Sequence, residues 1–322
     1  MTYAFSGYGN YADTLQFWSD QAGKLAGFKL DNPSFVISSG ETVFAVSEKE
    51  TSAAIYVFQK HNYSYRLTDT VEVPGSNLCH LCYSPKQKRL FGSCWGTGHL
   101  IYANVSDDGK LGHIHSIVQQ SASLGQSRNH FCLLSSDESV CVSCNLGLDT
   151  LFVYDNTGKS LQEICQIPLP SGTGPRHAVF SKENQVLFVV TELSNEVLVL
   201  SWPSGELLQR IHTTDFNGVT NCSAICLTQD EKHLYVANRF SDTITTFSVG
   251  KDFHLSNPIL TPCNGKNPRH MILENDDSVL LIAYQQSDMV SIVPFHSNRL
   301  PDFSNAKHIL HLSAAGIAKI EN

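Results

Sequence analysis

Pro175-Arg-His-Ala-Val-Phe-Ser181, then Lys182-Glu-Asn-Gln185, then Val186-Leu-Phe-Val-Val-Thr-Glu192, then Leu193-Ser-Asn-Glu196, then Val197-Leu-Val-Leu-Ser-Trp202: this stretch decides the architecture. Its apolar runs are β-branched and aromatic, and its interruptions are Asn, Glu, Ser and Lys. It reads as strand, turn, strand, turn, strand, with a fourth strand near Leu207–Thr213.

The same unit recurs along the chain. Asn32-Pro33-Ser-Phe-Val-Ile leads to Val43-Phe-Ala-Val-Ser-Glu48, Cys79-His80 to Leu90–Trp95, and Asn129-His130 to Val140–Asn145. Cys222-Ser-Ala-Ile leads to Leu234–Arg239, and Pro268-Arg269-His270 to Val279–Gln285. The anchors 33, 79, 129, 175, 222 and 268 lie 46, 50, 46, 47 and 46 residues apart, the signature of a radial or stacked repeat. One more period places an inner strand at Ala314–Ile320, just before the chain ends. The three strands this repeat still needs stand at the other terminus, at Tyr3–Gly7, Thr14–Ser19 and Leu25–Leu30. A solenoid would instead carry capping repeats with polar outer faces. Ends that complete one another predict an all-β, seven-bladed β-propeller of four-stranded blades. Its last blade is closed by N- and C-terminal strands, and one domain spans residues 1–322.

Composition narrows the function. Hydrophobic residues make up 42% and charged residues 16%, enough to bury a large core. A net charge of −8 with no basic run argues against nucleic acid as a partner. No apolar stretch is long enough to cross a membrane, and the start Met1-Thr-Tyr-Ala-Phe-Ser-Gly7 lacks the features of a signal peptide, so the expected location is the cytoplasm. The expected assembly is a monomer or weak homo-oligomer. Cys79-His-Leu-Cys82 and Cys141-Val-Ser-Cys144 have a spacing that zinc sites use. Both fall within strand-like runs, where residues three apart point to opposite faces, so buried thiols are the better reading.

In an antiparallel blade the start of the inner strand and the end of the second strand lie at one end, and radial repetition gathers these positions around the channel mouth. The first set holds His80, His130, Arg176 with His177, and Arg269 with His270. The second holds Glu48, Trp95, Asn145, Glu192, Arg239 and Gln285. An acidic protein that collects Arg and His at one mouth is arranged for an anionic small molecule. His80 and His270 read equally well as blade-to-blade ties, and Glu48 as a structural carboxylate. His130, Arg176, Glu192 and Arg239 form the group selected for function.

Gly174-Pro-Arg-His177, Val190-Thr-Glu192, Val236-Ala-Asn-Arg239 and Asn32-Pro-Ser34 resemble the lactonase family of seven-bladed propellers. That family includes bacterial propeller-type 6-phosphogluconolactonases and a fungal enzyme that lactonises carboxymuconate. The resemblance spans the chain and implies catalytic roles for His130, Arg176, Glu192 and Arg239. It places His177, His80, Arg269, His270, Asn145 and Glu48 as substrate-binding candidates around them. Two departures bear on the substrate: Asn145-Leu-Gly stands where relatives often have Asp-Leu-Gly, and Cys94-Trp95 where they commonly have Asn-Tyr.

Lactone hydrolysis needs an activated water and a stabilised oxyanion. Glu192 as general base with His130 as its proton-handling partner is the favoured assignment, and the two can exchange roles. Of Arg176 and Arg239, one would stabilise the oxyanion and the other clamp the substrate's anion. The scheme uses no metal and no cofactor. On it, Ala at Arg176 or Glu192 removes activity and leaves the melting temperature unchanged. Two other readings compete. A metal-dependent sugar lactonase would take ligands from Glu48, Asn145 and Glu192, although Arg239 would repel the ion. A non-enzymatic propeller would bind proteins through aromatics such as Trp95 and Phe240.

Overall fold

The computed structural model describes residues 1–121, 125–274 and 276–320. They form seven four-stranded antiparallel sheets around one channel. Six are continuous in sequence. The fourth blade, for example, runs Pro175–Phe180, Val186–Thr191, Glu196–Ser201 and Leu207–His212 from the channel outward. In the seventh blade Ala314–Ile320 is innermost and pairs with Thr2–Gly7, followed by Leu15–Ser19 and Gly23–Phe28. The terminal strands are therefore hydrogen-bonded to each other from Thr2 opposite Ile320 to Gly7 opposite Ala314, which leaves no open blade. The third strand of that blade begins at Gly23 rather than Leu25, because Gly23 at φ 71° supplies the left-handed corner of the hairpin.

The apolar runs do not alternate with polar residues because each blade is covered on both faces. Leu187, Val189, Leu198 and Leu200 pack against Val142, Cys144, Leu151 and Val153 of the third blade. Their neighbours Val186, Phe188, Val190, Val197 and Val199 pack against Leu234, Val236 and Phe247 of the fifth. Each such side chain contributes about 1.5–3 kcal/mol by leaving water. The blades are rigid walls, and the residues at their channel ends are held accordingly.

The ten cysteines are all free thiols, and six of them are buried. Cys79 donates to the carbonyl of His130, whereas Cys82 packs with Leu100, Phe152 and Cys132, so the pair diverges as its strand geometry requires. Among the described residues no cluster of three or more His, Cys, Asp or Glu has the arrangement of a metal site. Cys165 alone is exposed. A thiol reagent should modify one cysteine rapidly in the native protein and all ten in denaturant; rapid modification of several native thiols would contradict this packing.

Candidate active site

Two repeated backbone devices build the channel mouth. In the first, the inner strand carries a β-bulge at its second residue. The register skips Cys79 between Leu78 and His80, His130 between Asn129 and Phe131, Arg176 between Pro175 and His177, and Arg269 between Pro268 and His270. A bulge turns one side chain out of the pleat. Here it sends Cys79, His130, Arg176 and Arg269 to the mouth, where they line one cavity of about 220 Å³ with Glu48, Asn77, Trp95, Glu192 and Arg239.

In the second device, the residue at or just past the end of the second strand returns its N–H to the carbonyl that precedes the inner strand. Glu48 bonds Asn32 at 3.0 Å, Trp95 bonds Asn77 at 2.9 Å, and Leu146 bonds Arg128 at 2.8 Å. Glu192 bonds Gly174 at 2.7 Å, Gln285 bonds Asn267 at 3.1 Å, and Tyr8 bonds Ser313 at 3.2 Å. Arg239 takes this place in the fifth blade, opposite Asn221. The ring is therefore Tyr8, Glu48, Trp95, Leu146, Glu192, Arg239 and Gln285.

This ring revises the placement of two residues. Asn145 pairs with Asn129 and is one residue short of the mouth; Leu146 holds the ring position in that blade. A shift of one reverses the side chain's direction. Asn145 is fully buried, donating to Gln119 and Ser127 and accepting from the Arg128 N–H. It is not part of the cavity, so Glu48, Asn145 and Glu192 do not form a cation-binding set. Tyr8, conversely, was missed. The split blade hides it, although adding the blade period through the termini would have reached it.

The residues after each bulge face the channel interior. His177 lies 5.6 Å from His130, 5.9 Å from His80 and 6.3 Å from His270, centroid to centroid. With Phe35 and Phe131 these rings fill the channel behind the mouth. His80 Nδ1 accepts the N–H of Cys132 at 3.3 Å and His270 Nδ1 that of Ile317 at 3.2 Å, so both tie adjacent blades together. His80 opens toward a separate 540 Å³ cavity lined also by Ile37, Leu133 and Lys319.

Electrostatics at the mouth centre on Glu192. Arg176 Nε donates to its Oε2 at 2.8 Å, and Arg239 Nη2 forms an ion pair with its Oε1 at 3.0 Å. Burial pushes the carboxyl up, but the two guanidiniums outweigh it and hold it below the usual range. Arg176, only 3% exposed, also donates to the Ser223 carbonyl; burial brings it down to about 10. His130 is held well below an ordinary histidine, first by burial and then by Arg176 and Arg269, so its ring is neutral. Its Nδ1 and the Nε of Arg239 are buried without hydrogen-bond partners among the described residues. Unsatisfied polar atoms of this kind cost free energy, and a bound ligand or water is one way to satisfy them. Trp95 caps one side, with the Arg128 guanidinium 4.1 Å from its ring.

The family profile described as lactonase, 7-bladed beta-propeller, matches residues 13–300. The chain belongs to that family. It is similar to a 6-phosphogluconolactonase of Bacillus subtilis, 26% identical over 283 residues that cover 82% of this chain and 80% of the relative. An uncharacterized protein of Staphylococcus epidermidis is 25% identical over 304 residues, 88% of this chain and 87% of the other. Among solved structures, a periplasmic gluconolactonase of Pseudomonas aeruginosa superposes with a TM-score of 0.87 at 20% identity over 98% of each chain, which speaks for the fold alone. Among the described residues of this lactonase-family propeller, no helix is long and apolar enough to cross a membrane.

Proposed function

We propose that this protein hydrolyses an anionic sugar lactone of the 6-phosphogluconolactone type, without a metal or cofactor. The observation that carries this reading is a neutral imidazole, His130, in one cavity with three guanidiniums and the carboxylate that holds two of them. The B. subtilis relative's name points to the same substrate class.

His130 is the better general base. Both oxygens of Glu192 are engaged by guanidiniums, Oε2 by Arg176 and Oε1 by Arg239, which leaves neither free to take a proton from water. His130 takes a proton from water as that water's oxygen attacks the lactone carbonyl. The guanidiniums receive the oxyanion, and collapse of the tetrahedral intermediate breaks the ring C–O bond. The proton then passes to the leaving alkoxide, giving a hydroxy acid. Glu192 holds Arg176 and Arg239 in register for the oxyanion. The proposed substrate is a small molecule, in the cytoplasm; neither nucleic acid nor a membrane has a role.

Hydrolysis of 6-phosphogluconolactone well above its spontaneous rate, with gluconolactone as a poorer substrate, is the expected result. No hydrolysis of either, or of other sugar lactones, would remove the proposal and favour a binding module. His130→Gln should lower kcat/KM by about 10²–10⁴-fold. The pH profile carries a sign. His130 is deprotonated above its lowered folded value, so the acid limb of kcat/KM should lie well below the 6.5 of a free histidine. A bound anion offsets the guanidiniums and raises that value, so the acid limb of kcat should lie at higher pH than that of kcat/KM. Coincident limbs at 6.5 would refute the assignment.

A further inference from the structure

We infer that Tyr8 is the positioning residue of a cradle in which Arg269 takes the substrate's anionic group and Glu48 takes a neighbouring hydroxyl, so that the site selects a polyhydroxylated anion over a dicarboxylate. This rests on the lactonase reading and names the substrate class of the same site.

Three guanidiniums line the mouth, but two are committed. Arg176 and Arg239 share Glu192 and also donate to the carbonyls of Ser223 and Cys222. Arg269 differs. Among the described residues its side-chain hydrogen-bond partner is a neutral phenol, that of Tyr8. Its charge is therefore the one most available to an incoming anion.

Tyr8 holds that guanidinium in two ways. Its oxygen accepts from Arg269 Nη2, and its ring lies beneath the guanidinium, 4.8 Å from centroid to Cζ. The phenol donates its own proton to Glu48 Oε2 at 2.8 Å. Burial foremost, with the Glu48 carboxylate adding to it and Arg269 opposing, raises the phenol above its ordinary value, so this proton stays on oxygen. The hydrogen-bond direction Arg269 to Tyr8 to Glu48 is thereby set.

Glu48 Oε2 also accepts from the Ser34 hydroxyl. Its Oε1 has no hydrogen bond among the described residues, and Glu48 lines the cavity with Arg269. An acceptor beside a cation rewards a ligand with a hydroxyl donor near its anionic group. A second carboxylate on the ligand would face Glu48 and be repelled. Tyr8 itself sits behind the cavity, against Ser34, Arg269 and His270.

Calorimetric binding of 6-phosphogluconate and gluconate to the full chain reads the cradle independently of turnover. The wild type should bind 6-phosphogluconate at least about tenfold more tightly, as expected for a charge-assisted contact. Tyr8→Phe should lose most of that difference while gluconate binding holds, and its KM for the phospholactone should rise far more than kcat falls. Glu48→Gln should keep the phosphate preference and admit a dicarboxylate lactone. Melting curves identify any variant that fails to fold, and Arg269→Gln then serves in place of Tyr8→Phe. Equal binding of the two ligands by wild type, or wild-type preference in both Tyr8→Phe and Arg269→Gln, would overturn the cradle. A wild type that prefers 6-phosphogluconate but hydrolyses no lactone would overturn the proposed activity and leave the cradle standing.

Discussion

Glu192→Ala is expected to abolish lactone hydrolysis and to lower the melting temperature as well. The carboxylate sits between the guanidiniums of Arg176 and Arg239, which are 3% and 9% exposed at their side chains. Without it two buried cations face each other with no counter-charge. Breaking a buried pair costs about 3–5 kcal/mol, and the 22% exposure of Glu192 places this case near the lower bound. On the activity side, both oxyanion donors lose their register, and the loss of even one such donor costs about 10²–10³-fold. The expectation from sequence of an unchanged melting temperature therefore does not survive the geometry. Arg176→Ala shares the outcome, because Arg176 also ties the fourth blade to Ser223 of the fifth. Glu192→Gln separates the two effects. It keeps the shape but not the charge, so it should recover part of the stability and little of the activity. Thermal melts and kcat/KM of the three variants check this; a Glu192→Ala protein as stable as wild type would show that the pair is solvent-screened.

A steep loss of stability below about pH 6 is the second large effect. His80, His130 and His177 are held well below 6.5, His270 at about 3 and His311 at about 4, burial being the leading cause in each. All five are neutral in the fold. In the unfolded chain they titrate near 6.5. Below that pH the unfolded state binds more protons, so unfolding free energy falls as pH falls. The stability is complete above about 6.5 and is lost down to the folded values, at up to about 1.4 kcal/mol per pH unit for each histidine. Several acting together can exhaust the 5–15 kcal/mol typical of a folded domain within about two pH units. Melting temperature should be flat between about pH 7 and 8 and drop sharply toward about pH 4.5, and His311→Leu, which removes one of these buried rings, should make the drop shallower. A melting temperature constant down to pH 4 would show that these rings protonate in place.

The architecture was legible because a propeller repeats its physics. Val186-Leu-Phe-Val-Val and its six counterparts are apolar on both strand faces, a pattern that only a sheet covered on both sides explains. The period of 46 to 50 residues then sets the blade count, and the complementary ends set the closure. The candidate cavity was legible to the same depth: Glu48, His130, Arg176, Glu192, Arg239 and Arg269 were named from periodicity and line one cavity.

What periodicity could not supply is direction. A strand reverses its side chains at every residue, so a bulge or a shift of one decides whether a group meets substrate or core. The bulges send Arg176 to the mouth and its neighbour His177 into the channel, and Asn145, one residue before the ring position, points inward. Tyr8 joins the ring only because the first strand pairs with the last, a contact between residues some three hundred positions apart. Sequence by itself determined the number of blades, how they close and which residue types gather at the mouth, since these follow from period and pattern. Tertiary structure alone decided which of those residues face the cavity and which guanidinium remains uncommitted, since that depends on hydrogen bonds between blades.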